Sequence, residues 1–261
     1  MAKRAERSSR LPSRLTQRSP APPPSIPFSC DQPAVTKILV TNDDGWDAAG
    51  LAALKSLAAE FGEVYVLAPR EPHSYAGHRV TTHETLTLIE TAPREFTLSG
   101  TPADCVRAAL TSVFEDIDWV LSGINHGGNL GADLYTSATV AAAREAAYLG
   151  KPAIAISQYI KRALPLDWTS SRDLARPIVT QLFAQTCPAK SYWNVNLPHI
   201  ENENAAPVTI CEPDNQPLDV RFHREGSQLR FGGSYVARPR TPGRDVDLCF
   251  AGSITISQLH L

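Results

Sequence analysis

The sequence predicts an α/β fold: a doubly wound, mostly parallel sheet followed by a smaller β-rich C-terminal appendage. Three observations predict it. Short apolar runs alternate with segments of helical period, as buried parallel strands alternate with crossover helices. The first run, Lys37 to Val40, opens into Thr41-Asn42-Asp43-Asp44-Gly45, so two adjacent carboxylates stand at a strand end, where open α/β sheets bind ligands. After Pro198 the helical period fades and proline-rich connections separate short apolar runs.

Each element can be justified in turn. Ile38, Leu39 and Val40 suit a strand covered on both faces. Leu51, Leu54, Leu57, Ala58 and Phe61 share one helical face between Ala48 and Phe61, and Gly62 ends the helix. Val64 to Ala68 is a second strand, completing a right-handed strand–helix–strand unit. Residues 70–99 are irregular at first; the alternation of Leu86, Leu88, Phe96 and Leu98 then indicates hairpin strands. Thr101, Pro102 and Asp104 form a helix start with cap, proline and first-turn acid in agreement. Asp118 to Ser122 is a third strand, opening into a loop that carries Gly123, Asn125, Gly127, Gly128, Asn129 and Gly131. Ser137-Ala138-Thr139-Val140 leads into an alanine-rich helix ending at Gly150. Strands follow at Pro152–Ser157 and Trp193–Pro198, separated by a helix over Arg172–Phe183 despite Pro177. In the appendage, Val208–Cys211, Leu229–Val236 and Gly252–Ser257 read as strands, with no helix expected. This organisation divides the chain into a basic extension (1–34), a core (35–200) and a C-terminal segment (201–261).

Composition excludes several functions. With 43% hydrophobic and 20% charged residues the chain is an ordinary globular one, and no stretch approaches the roughly 20 apolar residues of a membrane span. A net charge of −2 argues against nucleic-acid binding. Residues 1–30 differ, with Lys3, Arg4, Arg7, Arg10, Arg14 and Arg18 against Glu6 alone. Six prolines there predict disorder and disfavour an amphipathic targeting helix, so a cytoplasmic location is expected. Five dispersed cysteines form no metal or redox pair and fit a reducing compartment.

The chemistry concentrates at three strand ends. Adjacent Asp43 and Asp44 repel one another unless a cation or shared proton relieves them, although Asp-Gly is also an ordinary turn. Ser74 lies on the loop after the second strand and Asn125 after the third. Carboxylate, hydroxyl and amide oxygens suit Mg²⁺, Mn²⁺ or Ca²⁺. The glycine loop lets backbone approach a ligand, and a helix start at Ser137 to Thr139 offers N–H groups to phosphate. The combination points to metal-assisted phosphoryl hydrolysis. His73, His78 and His126 titrate near neutrality but, as loop histidines, read first as locally hydrogen-bonded. Asp104 reads as a helix acid rather than a ligand. Tyr75, Tyr135 and Tyr235 are candidates for stacking on a base.

Val40-Thr-Asn-Asp-Asp-Gly45, Ser74-Tyr-Ala-Gly77, Gly100-Thr-Pro-Ala-Asp-Cys105, Ser122-Gly-Ile-Asn125 and Asn129-Leu-Gly131 occur in the order of the survival protein SurE family, which the chain resembles from about Lys37 to Ser257. The resemblance implies a Rossmann-like core and a C-terminal portion exchanged between subunits, giving homodimers or homotetramers. It implies one divalent ion on Asp43, Asp44, Ser74 and Asn125, and hydrolysis of nucleoside 5′- or 3′-monophosphates, with some activity on short polyphosphate. Asp43 or Asp44 would accept a proton from water, while Asn129, Ser137, Ala138 and Thr139 would bind phosphate, largely through backbone N–H groups. The swapped C-terminal helix of such proteins has little chain left after Ser257. Ala138 stands where relatives commonly carry glycine, and Gly128 where they carry proline. An alanine would hinder a positive φ. Ala138 and the short tail motivate an alternative, a nucleotide- or phosphate-binding relative with weak or lost turnover. A redox dinucleotide enzyme is remote, because no Gly-x-Gly-x-x-Gly follows the first strand.

Overall fold

The computed structural model describes residues 35–161, 163–201 and 206–261. The extension read as disordered, residues 1–34, lies outside them. Strand β1 (Lys37–Thr41) passes through helix α1 (Ala49–Ala58) to β2 (Glu63–Pro69). The hairpin β3 (Leu88–Ala92) and β4 (Glu95–Leu98) follows, then α2 (Pro102–Ala108). β5 (Trp119–His126), α3 (Ala138–Tyr148), β6 (Ala153–Gln158), α4 (Trp168–Phe183) and β7 (Ser191–Leu197) complete the alternation. The remainder contributes β8 (Val208–Ile210), β9 (Phe222–Glu225), β10 (Gln228–Phe231), α5 (Asp245–Phe250) and β11 (Ile254–His260).

Nine strands form one sheet in the order β3-β4-β2-β1-β5-β6-β7-β11-β8. From β4 to β7 every pairing is parallel; β3 and β11 are antiparallel to their neighbours β4 and β7. The chain leaves β1 towards β2 on one side and later returns to β5 on its other side. The crevice between the carboxyl ends of β1 and β5 is therefore the topological switch point. Thr41 pairs with Ser122 there, so Asn42 to Asp44 and Gly123 to Asn125 leave the sheet together.

The pleat divides β1 between two cores. Ile38 and Val40 face α1 and α4 with Leu54, Leu57, Ile178 and Leu182; Leu39 faces α2 and α3 with Val106, Val140 and Ala143. The alanines of α3 keep that helix close to the sheet. On the opposite face, Gly50 brings α1 against β5, where an added Cβ would stand 2.0 Å from the carbonyl oxygen of Ile124.

Several details differ from the sequence reading. β5 continues through Gly123 to His126 because Asn125 and His126 rejoin the ladder beyond a bulge. Helix α4 starts at Trp168, where the Asp167 side chain accepts from the Thr169 N–H at 2.9 Å. The C-terminal segment contains a helix, α5, and its strands β8 and β11 extend the central sheet. The β9–β10 hairpin stands outside that sheet with all of its residues exposed.

Replacing Gly50 by Ala should force α1 away from β5 and lower stability by about 1–3 kcal/mol, the usual cost of overpacking. Urea denaturation measures this, and an unchanged midpoint would contradict the close approach.

Candidate active site at the switch point

The turn after β1 buries Asp43 to 4% exposure. Its Oδ1 accepts from the Thr139 hydroxyl at 2.5 Å, and its carbonyl accepts from the His73 N–H at 2.7 Å. Burial pushes the Asp43 carboxyl up to about 6; the Thr139 hydroxyl opposes the shift and the neighbouring Asp44 charge adds to it. Asp44 Oδ2 accepts from the His126 N–H at 2.9 Å, which ties β1 to the end of β5. Asn125 is aimed by the bulge at Gly123, whose φ of +138° and an added Cβ only 2.2 Å from the Ile156 oxygen admit glycine alone. The Asn125 Nδ2 donates to the Gly127 carbonyl at 2.8 Å, fixing which end of the amide is its oxygen.

Ser74 sits on the irregular loop after β2, which polar contacts hold in place. The Gly77 N–H donates to the Thr136 carbonyl at 3.0 Å. Asp104 accepts from the Thr81 N–H and hydroxyl, each at 2.8 Å, while closing a capping box with Thr101. Glu145 of α3 takes His78 Nε2 at 2.6 Å and Arg107 Nε at 2.8 Å. Tyr75, beside Ser74, adopts a left-handed φ of +60°. Asp43, Ser74, Asn125, Asn129 and Ser137 all line one cavity of about 560 Å³.

Several N–H groups expected to meet phosphate have partners within the protein. The Asn129 N–H donates to Asn196 Oδ1 at 2.8 Å, its Nδ2 to Ser157 Oγ at 2.7 Å, and its carbonyl accepts from both Asn194 and Asn196. The Leu130 N–H goes to Asp133 and the Gly131 N–H to Asp245. Asn129, Leu130 and Gly131 thus turn their N–H groups into the protein. Ser137 caps α3 by accepting from the Val140 N–H, and its own N–H donates to the Asp133 carbonyl. Thr139 is engaged with Asp43. Ala138 is fully buried at the first helical position and is absent from the positive-φ residues, so glycine is not required there.

A family model for survival protein SurE matches residues 38–218. The chain belongs to the survival protein SurE family. A Synechocystis protein assigned provisionally as a 5′-nucleotidase is 44% identical over 224 residues, covering 85% of this chain and 99% of its own. The 5′-nucleotidase SurE of Myxococcus xanthus is 35% identical over 230 residues, covering 86% and 87%. The crystal structure of the Aquifex aeolicus SurE protein superposes with a TM-score of 0.78 at 28% identity, covering 86% of this chain and 93% of that one.

The donors at this site are hard oxygens with no cation of the protein among them. Among the described residues no salt bridge reaches Asp43 or Asp44. The Asn42 Oδ1, Thr41 Oγ1 and Ser122 Oγ atoms are buried there without a hydrogen-bond partner. Both carboxylates keep an oxygen outside the contacts described above, as do Asn125 and Ser74. Hard oxygens and uncompensated negative charge fit a hard cation. Among the described residues no three His, Cys, Asp or Glu side chains converge on an ion position.

Other candidates divide. Tyr75, His126 and Tyr235 line the cavity; Tyr135 is 84% exposed and does not. His73 is held below its ordinary value by burial and by the Arg79 charge. Sequence reasoning missed Asp133, whose Oδ2 binds buried Arg238 at 2.9 Å and the Tyr235 hydroxyl at 3.0 Å. It also missed Asn194 and Asn196, although two amides spaced by two within a buried strand are a readable signal for a buried polar contact.

Burial alone would raise the Glu145 carboxyl, but hydrogen bonds from His78 and Arg107 outweigh it and hold the group below 4.5. A depressed folded value contributes stability that is present above the unfolded pKa and lost as pH falls through the folded one. Glu145→Gln should therefore be less stable by about 1–3 kcal/mol at pH 7, with the gap closing below about pH 4.5. Thermal melts from pH 3 to 8 measure it; a gap independent of pH would refute the assignment.

Proposed function

We propose that this protein is a divalent-metal-dependent phosphomonoesterase that hydrolyses nucleoside 5′-monophosphates to nucleoside and inorganic phosphate. The carrying observation is buried Asp43, which lines a cavity at the switch point, beside half-buried Asp44, the two without a cationic partner among the described residues. A dianionic phosphate would be repelled by that pair, so productive binding calls for a cation between them. The curated SurE relatives named as 5′-nucleotidases support the reading. A divalent ion, Mg²⁺ or Mn²⁺ before Ca²⁺, on Asp43, Asp44, Ser74 and Asn125 would supply Lewis-acid polarisation of the phosphoryl group.

The remaining work falls to the chain's own groups. The Thr139 hydroxyl holds Asp43 in one orientation and balances part of its charge. The Ser137 hydroxyl, which caps α3 through its oxygen lone pair, keeps its proton for a phosphoryl oxygen. Asp43, raised by burial, is suited to take a proton from the attacking water. That water adds to phosphorus as the ester bond breaks, and the nucleoside oxygen leaves with a proton. Tyr75, Phe231 and Tyr235 line the same cavity and offer aromatic faces to a base. A terminal phosphate on a 3′-nucleotide or a short polyphosphate satisfies the same contacts, so both belong to the proposed range. The exposed hairpin, with Phe222, Leu229 and Phe231 each more than half exposed, supports assembly of homodimers or homotetramers through residues 201–261.

The alternative of a binding protein without turnover loses one of its motives, since Ala138 lies in right-handed helix. Purified protein should release phosphate from nucleoside monophosphates with Mn²⁺ or Mg²⁺ and stop on chelation. Asp43→Asn and Asp44→Asn should each lower kcat/KM by about 100-fold or more. Undiminished turnover in either variant, or in chelator, would defeat the reading.

A further inference from the structure

Beside the cavity already described lies a second chamber of about 890 Å³, sharing Tyr75, His126, Gly128 and Tyr235 with it. Each volume by itself falls within the ~300–1,000 Å³ range of a small-ligand site. The two differ in charge. The inner chamber is lined by Asp43, Asp133 and Asp219 and by no Lys or Arg. The outer one is lined by Lys161 and Arg240 and by no Asp or Glu. Asp133 and Asp219 are paired with Arg238 and Arg221, so Asp43 carries the uncompensated charge of the inner chamber.

Both outer cations are set on fixed supports. His199 is buried; its Nδ1 accepts from the Lys161 N–H at 3.0 Å and its Nε2 donates to the Pro165 carbonyl at 3.1 Å, anchoring the backbone from which Lys161 projects. The Arg240 guanidinium lies 5.0 Å from the centre of the Phe250 ring, which stacks on Tyr159 at 4.5 Å. Two exposed cations, Arg240 over an aromatic ring and Lys161 lining the same chamber, make a site for an anion attached to a planar or apolar body.

We propose that the outer chamber binds a second phosphate of the substrate, so that nucleoside 3′,5′-bisphosphates are processed in preference to monophosphates. This rests on the nucleotidase reading above. The scissile phosphate occupies the inner chamber, the nucleoside crosses the wall formed by Tyr75, Gly128 and Tyr235, and the distal phosphate meets Lys161 and Arg240. A monophosphate leaves that chamber unused. The preference comes from binding, so it belongs in KM and weakens as salt rises.

The test compares adenosine 5′-monophosphate with adenosine 3′,5′-bisphosphate in Mn²⁺, using the full chain and its Lys161→Gln/Arg240→Gln double variant. For the unaltered protein, kcat/KM for the bisphosphate should exceed that for the monophosphate by roughly tenfold, the scale of one charge-assisted hydrogen bond. In the double variant the ratio should fall to about one, with monophosphate turnover held within about twofold. Equal kcat/KM on both substrates in the unaltered protein, or a preference that survives the double substitution, overturns the subsite. If neither substrate releases phosphate, the nucleotidase reading fails separately. Calorimetric titration with the bisphosphate then decides the subsite: roughly tenfold weaker binding to the variant sustains it, and equal binding removes it.

Discussion

The structure depends on how one buried carboxylate is held. Asp43 is nearly inaccessible, adjoins a second carboxylate and meets no cation of the protein among the described residues. Its one side-chain partner among the described hydrogen bonds is Thr139, 96 residues away at the start of α3. That contact joins the strand end of β1 to the helix following β5, across the switch point of the sheet. An isolated buried anion costs several kcal/mol, so the turn persists only because hydrogen bonds fix it and a proton or a cation can share it. The rise of its carboxyl to about 6 expresses that cost.

The surrounding polar contacts hold the neighbouring loops to the same frame. Glu145 and Asp104 seize the loop carrying Ser74 from two helices, through His78 and Thr81. Asn194 and Asn196 grip the glycine loop from β7, and Asp245 grips it from α5 through the Gly131 N–H. Asp245 also accepts from the Asp214 N–H at 2.7 Å, so a residue of the C-terminal segment ties two loops of the site together. Burial raises the Asp245 carboxyl, and the N–H bonds it receives oppose that rise. The result is a site assembled from loops yet braced by side chains on helices and strands, the arrangement precise chemistry requires.

What was legible in the sequence was what is local. Ile38 to Val40 announced a doubly covered strand, Thr101-Pro102-Ala103-Asp104 announced a helix start, and the acidic turn announced an electrostatic problem at a sheet edge. The partners that resolve the problem were not legible, because they act across long separations: Thr139 on Asp43, and Asn196 on Asn129 over 67 residues. Glycine-rich composition suggested N–H groups available to phosphate, yet acceptors from β7 and α5 take them. The strands of the appendage were legible but not their junction with the core, because β11 pairs with β7 and β8 with β11 across long separations. Helix α5 has only six residues, too few for a period to show.

The separation of charge between the two chambers follows from the same constraint. A protein that recognised phosphate with Lys or Arg at the switch point would neutralise Asp43 and Asp44 and leave no place for a metal ion. The lining of the inner chamber keeps such side chains out, and its two other acids are already paired with Arg221 and Arg238. On the proposed reading, the cations that meet substrate stand apart from the carboxylates, and the outer chamber offers Lys161 and Arg240 for that place. On the proposed reading, an ion in the inner chamber and the cations of the outer one would divide the anionic ends of a substrate without competing for the same carboxylates.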